Sequence, residues 1–239
     1  NNPLYKTPSP LYGRYKNFLH GIGKAKPSMV NFLKLKTPKF VPKVITLDQV
    51  KQLIDACDHI RDKFLVSLLY ETGMRIGQVL GLRHEDIHSI ESVIYVVPRN
   101  NASGVRAKTR NNYPIDVPKS LMRLYADYLV DEVQDNISDY VFINLWRDPI
   151  GKPMTIGGVE DLFRRLSKRT GIQIHPHILR HTHATELIRS GWDSSYVQKR
   201  LGHSSIQTTI NTYVHLSKDD LKKAYQEYQT KKENKLNCE

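Results

Sequence analysis

Cysteine is nearly absent from this chain: Cys57 and Cys238 are the only two in 239 residues, and the second sits in a polar tail. A disulfide framework and a cysteine-based zinc site are both excluded by so sparse a pair, and a reducing cytosolic setting fits best. Long apolar runs are missing too. The longest, Phe64 to Tyr70, is interrupted by Ser67 and falls far short of the roughly 20 residues a helix needs to cross a bilayer. No membrane span is predicted. The first residues, Asn-Asn-Pro, carry no Met and no signal-like apolar segment, so the chain reads as a piece of something longer. With 39% apolar and 25% charged residues, what remains is an ordinary globular composition, sufficient for one large domain or two small ones.

Acidic residues are missing from one stretch entirely. Residues 1–43 hold nine of the 36 Lys and Arg and none of the 24 Asp and Glu, so +9 of the net charge of +12 lies there. The same stretch holds six of the twelve prolines and repeats Lys-Thr-Pro at Lys6 and Lys36. Prolines remove backbone donors and bias their neighbours toward extended chain, so this leader is read as a linker or the remnant of a preceding domain. A solvated arm without specific contacts and a basic arm lying along a phosphate backbone both fit it. Net positive charge makes nucleic acid the default partner.

The pattern changes at Thr46-Leu-Asp-Gln49, which has the form of a capping box and is followed by Val50, Leu53 and Ile54 at helical spacing. A second helix is expected through Phe64 to Glu71, stopped by Gly73, and a third from Ile76 to Leu82. Short β-rich runs follow at Ser92–Val97, around Val105–Lys108 and at Tyr113–Val117, separated by Asn and Gly turn formers. The rest reads as helices near 119–132, 156–169, 178–189, 194–201, 205–212 and 218–233. There is no internal repeat. The fold class is mainly α with one small antiparallel β-sheet (α+β).

Four polar groupings call for chemistry. His175-Pro-His-Ile-Leu-Arg-His-Thr-His183 packs four histidines and an arginine into nine residues. His177 and His181 share a helix face as zinc ligands do, but no glutamate lies between them and Arg180 would stand beside the cation. An anion is the better partner, because guanidinium grips phosphate in two places. Arg75 follows Gly73 at the start of the next helix, where free amides and the helix dipole favour an anion. Basic residues Arg106, Lys108 and Arg110 sit on the predicted hairpin. Leu201-Gly-His203 is followed ten residues on by Tyr213. Taken singly, each is also what a capped helix, a solvated loop or a core tyrosine looks like.

Together, Thr72-Gly-Met-Arg75, Lys108-Thr109, His177-Ile-Leu-Arg-His-Thr182, Leu201-Gly-His203 and Thr209-Ile-Asn-Thr-Tyr213 resemble, in order and approximate spacing, the tyrosine recombinase or phage integrase family over about Thr46 to Leu216. The resemblance implies a catalytic domain at 44–216, a leader at 1–43 that is a linker or the end of a DNA-clamping domain, and a C-terminal helix and tail at 217–239. It implies a transesterification on double-stranded DNA without metal or cofactor: Tyr213 attacks a phosphodiester, giving a 3′-phosphotyrosine link and a free 5′-hydroxyl. Arg75 and Arg180 would clamp the phosphate, each worth roughly 3–4 kcal/mol by analogy with other preorganised donors. His177 would assist the Tyr213 phenol, whose ordinary pKa is about 10. Lys108 would be the general acid for the leaving oxygen and His203 a further donor, with Arg106 and Arg110 as DNA contacts. Where the family usually carries an acid, three residues after the first arginine, this chain has Gln78.

The implied assembly is a homo-tetramer on two recombination sites, with accessory DNA-bending or directionality factors as further partners, in the cytoplasm of a bacterial, phage or mobile-element setting. Leu221, Ala224, Tyr225 and Tyr228 form a stripe suited either to the protein's own core or to a neighbouring protomer. Type IB topoisomerase-like relaxation, a catalytically idle DNA-binding module and a metal-dependent nuclease remain alternatives at this point.

Overall fold

A computed structural model describes residues 43–99, 111–134 and 138–202, together with residues 225, 226, 229 and 230 of the C-terminal segment. The expected strand at Val105–Lys108 and the helix at 205–212 lie outside the described residues, as does most of that at 218–233.

Helix α1 (Leu47–Asp55) begins at the predicted capping box: the Gln49 amide donates to Thr46 Oγ1 at 3.3 Å, and Thr46 N–H donates to Gln49 Oε1 at 3.0 Å. Helix α2 (Ile60–Thr72) starts a turn before the apolar run suggests. Its cap comes from far away in sequence, since the Glu132 carboxylate accepts from Ile60 N–H at 2.9 Å and Arg61 N–H at 2.8 Å. The extra turn brings Arg61 and Asp62 into the interior, where they pair at 2.7 Å and Arg61 also donates to the Ile143 carbonyl. Buried charges persist only when matched in this way. Phe64, Leu65, Val66, Leu68 and Leu69 are all fully buried, which makes α2 the central helix. Phe64 stacks among Tyr125, Tyr128 and Phe142.

Gly73 ends α2 in the left-handed region (φ 62°). Helix α3 is only Ile76–Val79, shorter than expected, because Gly81 and Leu82 fold back on Gln78 and Val79 in tighter i to i−3 bonds. The antiparallel sheet runs β1 (Ile87–His88), β2 (Val93–Val96) and β3 (Tyr113–Asp116), in that order. The two-residue β1 has no sequence signal of its own. Register pairs Ile94 with Ile115 and Val96 with Tyr113, so Tyr113 lies on the sheet's buried face.

Helix α4 (Lys119–Tyr128) passes into a π-helical turn, Leu129–Val133. Helices α5 (Ile156–Thr170), α6 (Pro176–Arg189) and α7 (Ser194–Leu201) complete the described fold. Helix α6 begins two residues earlier than expected, with Pro176 at the first helical position, where its missing N–H costs nothing. The main core cluster joins α1, α2, the sheet, α4, α5 and the start of α6, and a small second one joins Ala184, Val197 and Leu201. Among the described residues no helix is long and apolar enough to cross a membrane.

Candidate functional site

Arg180 lies one turn into α6 and is 4% exposed. Its Nη1 donates to the Gly73 carbonyl at 2.5 Å and its Nη2 to the Leu201 carbonyl at 2.8 Å. Both acceptors terminate helices, α2 and α7, whose last carbonyls lack intrahelical partners and carry the negative end of the dipole. The planar fork thus holds two helix ends together. Arg75, half-buried at the start of α3, reaches the Gly202 carbonyl with Nη1 at 3.4 Å. Because Leu201 and Gly202 are consecutive, the two guanidinium groups converge on a single turn.

Gln78 supports this arrangement. It is 2% exposed, and its Oε1 accepts from the Arg75 backbone N–H at 2.8 Å while its Nε2 donates to Tyr113 Oη at 3.1 Å. The backbone donor fixes which end of the amide faces Arg75, so the other end must be the donor to Tyr113. An acid at this position would do the first job and would also neutralise charge; the amide orients without neutralising.

His177 is on the first turn of α6, one turn before Arg180, and exposed, with its ring 6.3 Å from that of His175. Of the predicted site residues, the structure therefore brings Arg75 and Arg180 together and puts His177 on the same helix as Arg180. Lys108, Arg106, Arg110, His203 and Tyr213 lie outside the described residues. Among the described residues no group of three or more His, Cys, Asp or Glu converges as metal ligands do. His181 is half-buried, and burial, followed by the electrostatic influence of His177, Arg180 and His175, pushes its pKa down to about 4.

Sequence reasoning missed Arg200, which ties the site together from behind. From the last turn of α7 its Nε donates to His183 Nε2 at 3.1 Å, and its Nη2 to the carbonyls of Glu71 and Asp116 at 3.0 Å each. It links α7, α6, the end of α2 and β3. Nothing in the sequence marks it, because its carbonyl partners are 129 and 84 residues away. Accepting from Arg200 requires an unprotonated Nε2 on His183, which is 7% exposed. Burial, then Arg200 and Arg180, pushes the His183 pKa down to about 3.

That depression makes the fold acid-sensitive. Since the unfolded histidine titrates near 6.5, its contribution to stability is complete above that pH and is lost as pH falls toward 3. Between pH 7.5 and pH 5 the expected loss at His183 alone is about 2 kcal/mol, read as a drop in the urea unfolding free energy. His183→Gln, which can still accept from Arg200, is expected to flatten the profile; an unchanged slope would show that His183 is not responsible.

A separate cavity of about 390 Å³ opens at the N-terminal end of α2, lined by His59, Arg61, Trp146, Asp161 and Arg165 among others. It contains none of the predicted site residues.

Comparison of the sequence and fold with known proteins points to one family. Residues 43–220 match the phage integrase family. Transposase A from transposon Tn554 of Staphylococcus aureus is 48% identical over 223 residues, covering 92% of this chain and 62% of that protein. Tyrosine recombinase XerA of Pyrococcus furiosus is 33% identical over 193 residues, covering 79% of this chain and 63% of that protein. The chain thus spans about three fifths of the length of these relatives. A crystal structure of XerA recombinase superposes with a TM-score of 0.66 at 30% identity, covering 80% of this chain and 66% of that one. The Tn1549 transposon integrase, solved with transposon right-end DNA, shares the fold at a TM-score of 0.64 and 21% identity, over 81% of this chain and 67% of that one. On the match across residues 43–220, the chain belongs to the phage integrase family.

Proposed function

We propose that this chain cuts and rejoins double-stranded DNA at specific sites through a 3′-phosphotyrosine intermediate, as part of the movement of a mobile element. The observation that carries this reading is the convergence of Arg75 and Arg180 on the consecutive carbonyls of Gly202 and Leu201. The similarity to the Tn554 transposase and to XerA supports it.

In this mechanism the Tyr213 oxygen forms a bond to phosphorus as the bond from phosphorus to the 5′-oxygen breaks. The Tyr213 proton passes toward His177, and Lys108 supplies a proton to the departing 5′-oxygen. Charge gathers on the non-bridging oxygens, and fixed cations held before the reaction stabilise it most, because they need no reorganisation as it proceeds. Arg75 and Arg180 fill that role, with His203 as a further donor. The bond energy stays in the ester, so a 5′-hydroxyl from a partner strand can reverse the step. Arg106 and Arg110 contact the DNA backbone, where they add sequence-independent affinity.

The proposed organisation is a basic leader at 1–43, the catalytic domain at 44–216, and a C-terminal helix and tail at 217–239 that docks on a neighbouring protomer. Four chains act on two sites, in the cytoplasm, with accessory DNA-bending or directionality factors.

The test is to incubate the unaltered chain with a randomised pool of nicked duplexes and isolate SDS-resistant complexes. The expected result is a covalent adduct, formed in EDTA as readily as without it, with mass spectrometry placing the nucleotide on Tyr213. Salt-sensitive binding without any adduct would leave an idle DNA-binding module; abolition by EDTA would point to a metal-dependent nuclease. Relaxation of a supercoiled plasmid by monomers would favour the topoisomerase-like reading.

A further inference from the structure

Tyr113 closes a ring of contacts around the two arginines. Starting at Arg75, the backbone N–H donates to Gln78 Oε1, Gln78 Nε2 donates to Tyr113 Oη, and Arg75 Nη1 donates to the Gly202 carbonyl. The fourth side is the packing of Tyr113 on Gly202: a Cβ at that glycine would stand 2.6 Å from Tyr113 Oη and 2.7 Å from Cζ. Gly202 has φ 61°, so this residue turns the chain out of α7 and also lets the phenol approach its backbone. The ring therefore joins α3, β3 and the end of α7, three elements with no local sequence relation.

The chemistry of the ring is specific. Gln78 is buried, and an amide donor in that position needs an acceptor; the phenol oxygen supplies one. Burial raises the Tyr113 pKa, while Gln78, Arg180 and Arg75 pull it the other way, which places the phenol within the field of both guanidinium groups. A neutral phenol and a neutral amide orient Arg75 without diminishing its charge.

Resting on the phosphodiester reading of the site, we infer that Tyr113 is a positioning residue. Through Gln78 and Gly202 it sets how Arg75 stands relative to the Leu201–Gly202 turn. Misplacement of a reacting constellation by a fraction of a bond length lowers rate far more than it lowers affinity.

The experiment compares the unaltered chain with Tyr113→Phe, Gln78→Met and the double variant, on the adduct-forming nicked duplex selected from the randomised pool. Phe keeps the ring against Gly202 and removes only the hydroxyl. Tyr113→Phe is expected to slow single-turnover adduct formation roughly 10- to 100-fold, while non-covalent DNA affinity stays within about twofold and the melting temperature falls by about 2–8 °C, since the Gln78 amide loses its acceptor. The double variant is expected to be no slower than Gln78→Met alone, because both break the same relay. A Tyr113→Phe chain that forms adduct at the parental rate overturns the positioning role, as does a rate loss matched by an equal loss of affinity or by unfolding at the assay temperature. Additive losses in the double variant overturn the relay through Gln78. If the unaltered chain forms no adduct with any member of the pool, the phosphodiester reading fails and the positioning role with it, a result distinct from a variant that keeps the parental rate.

Discussion

Arg180→Lys is expected to lower covalent adduct formation by about two to three orders of magnitude and to destabilise the fold by about 2–3 kcal/mol. Both effects follow from geometry. The guanidinium holds the Gly73 and Leu201 carbonyls with two nitrogens of one rigid plane. An ammonium is a single point charge on a flexible stem, and it cannot span both carbonyls while keeping its charge where the plane had it. A buried carbonyl left without a donor costs about 1–3 kcal/mol, and Arg180 sits where water does not compensate. Arg75→Lys provides the contrast. Arg75 is half-buried, and its side-chain contact with Gly202 is long, at 3.4 Å, so its loss is expected to slow the chemistry to a similar degree at a stability cost below about 1 kcal/mol. Single-turnover adduct kinetics and urea unfolding, measured on both variants, check the pair of expectations. Equal stability losses would show that Arg180 does not staple the two helix ends.

Arg180 meets carbonyls 107 and 21 residues away in sequence, and such separations decide what the sequence could and could not disclose. Local signals read well. The Thr46 capping box starts α1, Gly73 stops α2, and the β-rich runs at 92–97 and 113–117 contain β2 and β3. Pro176 at the head of α6 is an equally local signal for a helix start. The early start of α2 was not legible, because its N-terminal amides are capped by Glu132, more than 70 residues on. The same holds for the site. Arg75, His177 and Arg180 stand in short motifs, whereas Arg200 and Tyr113 act through partners contributed by distant elements and look like any other basic or aromatic residue. Gln78 lies between these cases: its departure from the usual acid and its local bond from the Arg75 N–H are legible in sequence, but its bond to Tyr113 emerges only when β3 is brought beside α3.

Gly73→Ala is expected to cost about 2–5 kcal/mol, from left-handed strain of about 1–2 kcal/mol added to overpacking of about 1–3 kcal/mol. The strain arises because φ is 62°, a region where a Cβ crowds the following carbonyl. The overpacking arises because that Cβ would stand 2.7 Å from Leu201 Cδ2 and 2.9 Å from His183 Cδ2. Leu201 is fully buried and His183 nearly so, and His183 is also held by Arg200, so neither can step aside without disturbing the contacts behind the arginines. Gly171 isolates the first contribution. It caps α5 with φ 74° and has nothing within 4 Å of a Cβ built there, so Gly171→Ala is expected to cost only the strain, about 1–2 kcal/mol. Urea unfolding of the two variants measures the difference directly. Adduct kinetics add a second reading: Gly73→Ala displaces a carbonyl held by Arg180 and should slow the chemistry, while Gly171→Ala should not. Equal costs at the two glycines would mean that Leu201 and His183 yield to the added methyl, and that the joint between α2 and α7 is looser than the Arg180 bonds require.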